Sequence, residues 1–178
     1  MTTKDYSGLF KKGRSEYDNQ MDRLKSEGRY LDSIQATVTE AAKSIEAGGK
    51  AFVIYGEPQS GKTEMMICLV GKLLDMNIQT VVVLVNDSID LQNQNLDRFQ
   101  TSKLNPTPMG MSDALISALD LTKATGIIFC KKNSKDLQKL LTRLANIKNI
   151  VVLDEEADFA TPNAKINKAA MTKINELV

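Results

Sequence analysis

The chain has 178 residues, 42% of them hydrophobic, a length and composition that suit one domain with a single core. Its 23 basic and 22 acidic residues nearly cancel, so the chain as a whole has no field that attracts nucleic acid or an anionic membrane. The absence of histidine excludes histidine general-base catalysis, Ser-His-Asp and Cys-His nucleophiles and most zinc sites. No apolar signal core and no long apolar stretch is present, so we expect a cytoplasmic protein without a membrane partner.

The first fifty residues predict two helices. Residues 1–31 are polar and lysine-rich, and we assign them to an N-terminal helical arm with one helix over residues 15–27. Apolar residues then recur at helical spacing, which predicts a second helix that is capped by Asp32 or Ser33 and ended by paired glycines. Residues 32–178 are predicted to form the domain proper.

The next segment carries a phosphate-binding pattern. Residues 51–55 are an apolar run of strand length, and residues 64–76 are rich in good helix formers. Between them, residues 56–63 fit G-x-x-x-x-G-K-[ST], a loop whose backbone N–H groups can surround phosphates. A strand, loop and helix in this order put the positive end of the helix under the phosphates. The alternative, an ordinary glycine turn, is disfavoured because both flanking elements are predicted.

The residues of this loop and the position after it are the predicted nucleotide contacts. Lys62 is expected to neutralise the β- and γ-phosphates, and the Thr63 hydroxyl to hold Mg²⁺. The full predicted set is Gly56, Glu57, Pro58, Gln59, Ser60, Gly61, Lys62, Thr63 and Glu64.

The rest of the chain alternates predicted strands with predicted helices. Strands are expected at residues 80–85, 126–130 and 150–154, and the uninterrupted β-branched run of the first indicates a strand covered on both faces. One predicted helix is capped within residues 86–88 and carries Ile89, Leu91, Leu96 and Phe99. A second follows Asn133 or Ser134 as cap, and a third spans residues 164–178. Residues 101–124 predict a loop with one short helix after Ser112 or Asp113. This alternation predicts a parallel α/β sheet that binds ligands beyond the carboxyl ends of its strands.

The last predicted strand ends in three carboxylates. Asp154 would point at the Mg²⁺ that Thr63 holds, and Glu155 or Glu156 would orient or deprotonate the attacking water. The alternative is a solvated acidic turn after a strand. The phosphate loop upstream favours the catalytic interpretation, with ATP and Mg²⁺ as substrate and cofactor.

The acidic segment also carries a family resemblance. Residues 154–158 after an apolar strand resemble the DEAD-type motif of superfamily 2 helicases and translocases. The chain resembles more closely the Z-one ATPase domain of restriction-associated endonucleases and phage-defence proteins. The stretches that carry this likeness are residues 59–63, Leu91 through Gln94 to Arg98 (L-x-x-Q-x-x-R), Lys131-Lys132-Asn133, and residues 154–158 with Asn163 downstream.

The resemblance implies a P-loop NTPase of the RecA-like kind, a three-layer sandwich with a mostly parallel sheet. It implies ATP hydrolysis coupled to DNA within a larger assembly, and Gln94 and Arg98 become nucleic-acid candidates. Lys131 and Lys132, at the carboxyl end of a strand, are further candidates for nucleic acid, although a solvated helix face explains most lysines of that region. Gln35 would read adenine, as a glutamine upstream of the loop does in many superfamily 2 proteins, unless it is a surface glutamine.

Two departures from the family pattern affect these expectations. Glu155 stands where an aspartate is common, and we favour Asp154 as the metal ligand because it directly ends the apolar run. The sequence given also stops before the S-A-T-type motif, so we expect very slow hydrolysis and no unwinding by this chain alone. In such domains that motif's strand lies between the strands that carry Val53 and Val152. The strand of the S-A-T-type motif would come from residues not shown or from a partner chain, unless the strands of Val53 and Val152 pair directly with each other. A nucleotide-dependent switch that signals to a protein partner without nucleic acid is the competing function.

Overall fold

The computed structural model describes residues 15–57, 60–113 and 119–157. The helices are α1 (Glu16–Ser26), α2 (Asp32–Glu46), α3 (Lys62–Asp75), α4 (Ile89–Thr101) and α5 (Ser134–Leu144), and the strands are β1 (Thr80–Val85), β2 (Met109–Gly110), β3 (Gly126–Lys131) and β4 (Ile150–Asp154). All four strands are parallel, in the order β2-β3-β1-β4. Helices pack on both faces of this sheet, which confirms the predicted three-layer α/β fold.

The central strand β1 explains how the two layers form. Every residue of β1 is buried, as its uninterrupted apolar run predicts for a strand with both faces covered. Val81, Val83 and Val85 belong to the core on one face, with residues of α1 to α4. Val82 and Leu84 belong to the core on the other face, with the leucines of α5. Successive side chains of a strand point to opposite faces, so one apolar strand supplies both cores.

On the first face, α1 lies directly against α3. The two helices approach so closely at Gly71 that a Cβ atom there would lie 3.1 Å from the backbone of Glu16 and Tyr17. The carboxylate of Asp75, at the end of α3, accepts hydrogen bonds from the backbone N–H groups of Glu16 (2.9 Å) and Tyr17 (3.0 Å). Leu24 of α1 is fully buried. The described part of the predicted arm is therefore packed on the domain.

On the second face, α5 begins as predicted. The Asn133 side chain accepts a hydrogen bond from the backbone N–H of Asp136 (2.9 Å), which caps the helix. Both cysteines are free and buried, as expected of small hydrophobic residues. Burial raises the pKa of the Cys68 thiol to about 11 and that of Cys130 to about 12.

The predicted strand at residues 51–55 does not form, and this is the main correction to the sequence analysis. These residues have no regular structure, and Val53 and Tyr55 are 86% and 88% exposed. Val53 is therefore not paired with Val152, whose strand β4 pairs with β1. Among the described residues, no strand lies along the other edge of β4. A strand needs a neighbour to satisfy its backbone groups, and an apolar run by itself does not supply one.

Smaller differences concern helix ends and the region between β1 and β3. Leu31 precedes α2 and no side chain caps that helix, so the predicted caps Asp32 and Ser33 are wrong. Of the apolar residues of α4, Phe99 is buried, whereas Ile89 and Leu91 are exposed; the polar Gln92 is also buried. The short strand β2 was not predicted. Residues 114–118, where the short helix was expected, and residues 158–178, with the C-terminal helix and Asn163, lie outside the described residues.

None of the described helices combines the length and the apolar character that a membrane span needs.

Candidate functional site

The site lies where β1, β3 and β4 end. In the register of the sheet, Leu84 is opposite Asp154 and Val85 is opposite Lys131, so the carboxyl ends of the three strands are level. The residues that follow β3 and β4 remain hydrogen-bonded to β1. The backbone N–H of Lys132 donates to Val85 O (2.9 Å), and that of Glu155 donates to Leu84 O (3.0 Å). The acidic turn, residues 154–156, thus stands at the edge at which parallel α/β sheets bind ligands.

Lys132 reaches this acidic turn from the other side of β1. Its side chain is fully buried, and its ammonium lies 2.6 Å from Asp154 Oδ1. The same ammonium donates hydrogen bonds to the backbone carbonyls of Glu155 and Glu156, the latter at 3.0 Å. A buried lysine must be paired, and here its charge faces the carboxylate predicted to bind Mg²⁺.

Glu155, the middle residue of the acidic turn, contacts α4. Its carboxylate accepts a hydrogen bond from Asn95 Nδ2 of α4 (2.8 Å). Burial, followed by the charge of Glu156, raises the pKa of Glu155 above its usual value. Lys132, Lys62 and Arg98 act in the opposite direction and lower it in part. The electrostatic effect of Lys62 links the acidic turn to the phosphate-loop lysine, which is far away in sequence.

Glu156 has a different environment. Its backbone has φ of 53°, in the left-handed region, and its side chain is exposed. Asn86 Nδ2, from the segment after β1, donates a hydrogen bond to Glu156 Oε2. The turn thus directs Glu156 toward Asn86 and Glu155 toward Asn95, so the two candidate carboxylates are no longer equivalent.

The described part of the phosphate loop curls tightly before α3. Gly61 has φ of 84°, which a residue with a side chain rarely adopts, and the helix starts at Lys62. A Cβ atom on Gly56 would lie 3.0 Å from Ser60 Oγ and 3.1 Å from Lys62 Cγ, so the Lys62 side chain runs back over Gly56. The helix has no side-chain cap at its N-terminus. Among the described residues, no side chain therefore caps its first N–H groups, the groups with which helix N-termini bind anions.

Two arginines flank the start of α3. Arg98 Nη1 of α4 donates to Thr63 Oγ1 (3.2 Å), and Arg98 Nη2 lies 3.6 Å from Glu64 Oε1. Arg23 of α1 makes a shorter ion pair with Glu64 Oε2 (2.6 Å). The Glu64 carboxylate thus forms ion pairs with two guanidinium groups. The Thr63 hydroxyl, at the end of the loop, is hydrogen-bonded to one of them. Arg98 and Asn95 lie three residues apart on α4, and together they connect the loop to the acidic turn.

The structure separates the predicted nucleic-acid residues. Lys132 is buried on Asp154, which argues against its predicted contact with nucleic acid. Lys131 is half-buried and lies 3.8 Å from Asp87 and 3.7 Å from Asp136. Gln94 is exposed on α4 and its role stays a prediction. Arg98 is partly exposed but faces the loop.

The other predicted contacts with the nucleotide, among them Gln35 and Glu57, stay predictions. Gln35 is exposed on α2, in a shallow groove with Ala36 and Thr39. Glu57 is exposed, with its carbonyl accepting a hydrogen bond from Ser60 N (3.2 Å). Pro58 and Gln59 lie outside the described residues.

Three residues of the site were missed by sequence reasoning: Arg23, Asn86 and Asn95. Arg23 and Asn95 lie in predicted helices, where polar residues are common and carry no signal of their own. Asn86 directly follows the last residue of β1. Position after a strand end could have identified Asn86, because parallel strands place such residues at the ligand edge.

The family comparison agrees with this geometry. A family model described as SWI2/SNF2 ATPase matches residues 31–174. The chain belongs to the SWI2/SNF2 ATPase family. It is thus related to the helicase- and translocase-like ATPases, which confirms the broad superfamily 2 resemblance but does not test the narrower likeness to the Z-one domain. No curated protein matches the chain, and no solved structure does.

A SWI2/SNF2 ATPase uses ATP and usually Mg²⁺, and the residues at this edge fit that ion. Mg²⁺ takes oxygen ligands, often only one or two protein carboxylates together with phosphate oxygens. Thr63 and Asp154 supply such oxygens, and Asn86 Oδ1 is buried with no hydrogen-bond partner among the described residues. In the same part of the chain, no cluster of three or more acidic or cysteine residues forms a self-sufficient metal cage. A nucleotide-dependent Mg²⁺ site matches this limited donor set.

Proposed function

We propose that this SWI2/SNF2 ATPase binds Mg²⁺-ATP between the phosphate loop and the acidic turn and hydrolyses it, with Glu155 as the residue that handles the attacking water. The observation that supports this most is the position of Glu155. It is half-buried, is oriented by Asn95, and is electrostatically coupled to Lys62. Glu156 is exposed and bonded to Asn86 instead.

Each residue then has a defined role. Lys62 neutralises the β- and γ-phosphates, and the N–H groups at the start of α3 donate to phosphate oxygens. Thr63 and Asp154 hold Mg²⁺, which when bound offsets phosphate charge. Glu155 accepts the proton of the water whose oxygen bonds to the γ-phosphorus, while the bond to the leaving ADP oxygen breaks. Its raised pKa suits this role, because a carboxylate that is a stronger base accepts the proton more readily.

Arg98 donates a hydrogen bond to the Thr63 hydroxyl in the structure, and we expect ATP binding to break this hydrogen bond. A guanidinium 3.2 Å from Thr63 Oγ1 would repel a divalent cation at the same oxygen. The Arg98 side chain is 45% exposed, so it can move into solvent or toward a phosphate. Arg98 is thus proposed to release Thr63 when nucleotide binds, in place of its predicted contact with nucleic acid.

The wider setting is also a proposal. The Z-one-like stretches, residues 59–63 and 131–133, favour a cytoplasmic ATPase that acts on DNA in a restriction or phage-defence system as part of a larger assembly. Among the described residues no strand covers the far edge of β4, and Phe52, Val53 and Tyr55 are exposed. Both features favour a further strand between these segments, from residues not shown or from a partner chain. An arginine from outside this domain would accelerate hydrolysis by about 10³ to 10⁵. The domain by itself is therefore expected to be slow.

Calorimetric titration of ATP into the parent chain and into Lys62→Ala tests the core of this proposal. The variant should lose binding but keep its melting temperature, because Lys62 serves the ligand rather than the core. Lys139→Ala, the removal of an exposed lysine on α5, is the matched control and should bind ATP like the parent. Equal affinity of the parent and Lys62→Ala would overturn the proposed nucleotide site.

A second measurement tests the proposed action on DNA. ATP turnover by the longest natural form of the protein should rise when DNA is added, and the rise should weaken with salt because phosphate contacts release counterions. Turnover that responds to a protein partner but not to DNA would contradict the motor and favour the nucleotide-dependent switch.

A further inference from the structure

Lys132 is the most deeply buried charged side chain near the site, and nothing in the proposed chemistry requires it. Its residue exposure is 3%, whereas the neighbouring Lys131 is half-buried. Placing an ammonium away from water is costly unless its partners are well aligned. Its location therefore calls for an explanation in terms of those partners.

All the partners described for this ammonium belong to the acidic turn. It lies 2.6 Å from Asp154 Oδ1 and donates to the carbonyls of the next two residues. One cation thus contacts the carboxylate proposed for Mg²⁺ and the backbone that determines where the Glu155 and Glu156 side chains begin. Three contacts to consecutive residues restrict a turn more than one ion pair does.

The sheet fixes the base from which Lys132 acts. β3 and β4 are not neighbours, because β1 lies between them. The backbone of Lys132 is bonded to Val85 on one side of β1, and that of Glu155 to Leu84 on the other. The lysine side chain therefore crosses the end of the central strand and connects two strands that share no ladder.

We propose that Lys132 is a positioning residue for the metal-binding carboxylate: it holds Asp154 and the acidic turn in the geometry that accepts Mg²⁺. This inference rests on the proposed ATPase function. Lys132 contacts Asp154 through Oδ1, and 19% of the Asp154 side chain stays exposed. A carboxylate can take Mg²⁺ through its second oxygen, Oδ2, whereas the Thr63 hydroxyl, which Arg98 contacts, has a single oxygen. Partners that orient a metal-binding carboxylate typically contribute 10- to 100-fold to metal affinity.

The test compares ATP affinity with Mg²⁺ and with EDTA, measured by calorimetry. In Lys132→Met, the tightening of ATP binding by Mg²⁺ should fall by about 10- to 100-fold, whereas the affinity in EDTA should stay near that of the parent. The EDTA value reports the phosphate loop, whereas the described contacts of the Lys132 ammonium are with the acidic turn. Lys139→Met makes the same chemical change on an exposed lysine and should leave both values unchanged.

A double-mutant cycle distinguishes positioning from general stability. If Lys132 acts through Asp154, then Asp154→Asn and the double variant Asp154→Asn, Lys132→Met should show the same small effect of Mg²⁺. Melting temperatures without nucleotide measure the coupling of the two side chains in the absence of metal. If Lys132→Met does not fold, Lys132→Gln, which keeps donors for the two carbonyls but no charge, makes the same comparison.

The outcomes separate this inference from the proposed function. A parent chain that binds ATP more tightly with Mg²⁺, together with an unchanged Mg²⁺ effect in Lys132→Met, would overturn the role of Lys132 and leave the ATPase proposal standing. Equal loss in EDTA and in Mg²⁺ would assign Lys132 a purely structural role and also overturn it. No ATP binding by the parent would overturn both proposals.

Discussion

Two apolar runs lead into the two halves of the site, and only one of them is a strand. Residues 150–154 form β4 because β1 offers them a parallel ladder, and the acidic turn that follows is held by Lys132. Residues 51–55 lead into the phosphate loop, yet Val53 and Tyr55 are almost fully exposed. The acidic half is therefore fixed by the sheet, whereas the loop half is fixed by the packing of α3 on α1 and α2.

The largest expected effect comes from the acidic half. Glu155→Gln removes the proposed base but keeps an oxygen that can accept the hydrogen bond from Asn95. Single-turnover ATP hydrolysis should fall by about 10²- to 10⁴-fold, while ATP affinity stays close to the parent value. Glu156→Gln, the same change on the exposed neighbour, is the matched control and should reduce the rate far less. A larger loss from Glu156→Gln would reverse the assignment of the two carboxylates.

A smaller effect separates the two apolar runs by stability. Val82→Ala in the fully buried strand β1 removes two carbons from the core and leaves a cavity. The free energy of unfolding should therefore fall by about 2 kcal/mol. Val53→Ala makes the same change at an exposed position and should alter the free energy of unfolding by less than about 0.5 kcal/mol. Urea titrations of both variants measure the difference. Similar losses would mean that residues 51–55 are paired in solution.

The smallest effect concerns the pH dependence of stability. The raised pKa of Glu155 means that the folded state keeps this proton in a range where the unfolded state has lost it. Stability due to this group therefore falls as the pH rises from the usual glutamate pKa through the raised one. Melting curves from pH 4 to 7 should show that Glu155→Gln gains stability relative to the parent as the pH rises. A constant difference would contradict the raised pKa.

The sequence predicted much of the fold because its strongest signals are local. The β-branched run of β1 and the leucine spacing of α5 determine their own secondary structure, and both were predicted correctly. The family match also agrees with the motifs that led to the superfamily 2 resemblance. Residues 51–55 carry the same local signal as β1, but their conformation depends on a neighbouring strand that the run itself does not encode.

The chemical groups of the site can be read from the sequence alone: a phosphate loop, a hydroxyl, an aspartate and two glutamates. The tertiary structure decided which of these groups meet, because the order β3-β1-β4 brings residues from separate segments to one edge. Lys132, a predicted contact for nucleic acid, is instead a buried partner of Asp154. Glu155 differs from Glu156 because it accepts a hydrogen bond from Asn95. Strand order and burial arise from contacts distant in the chain, so no local pattern could have distinguished these residues.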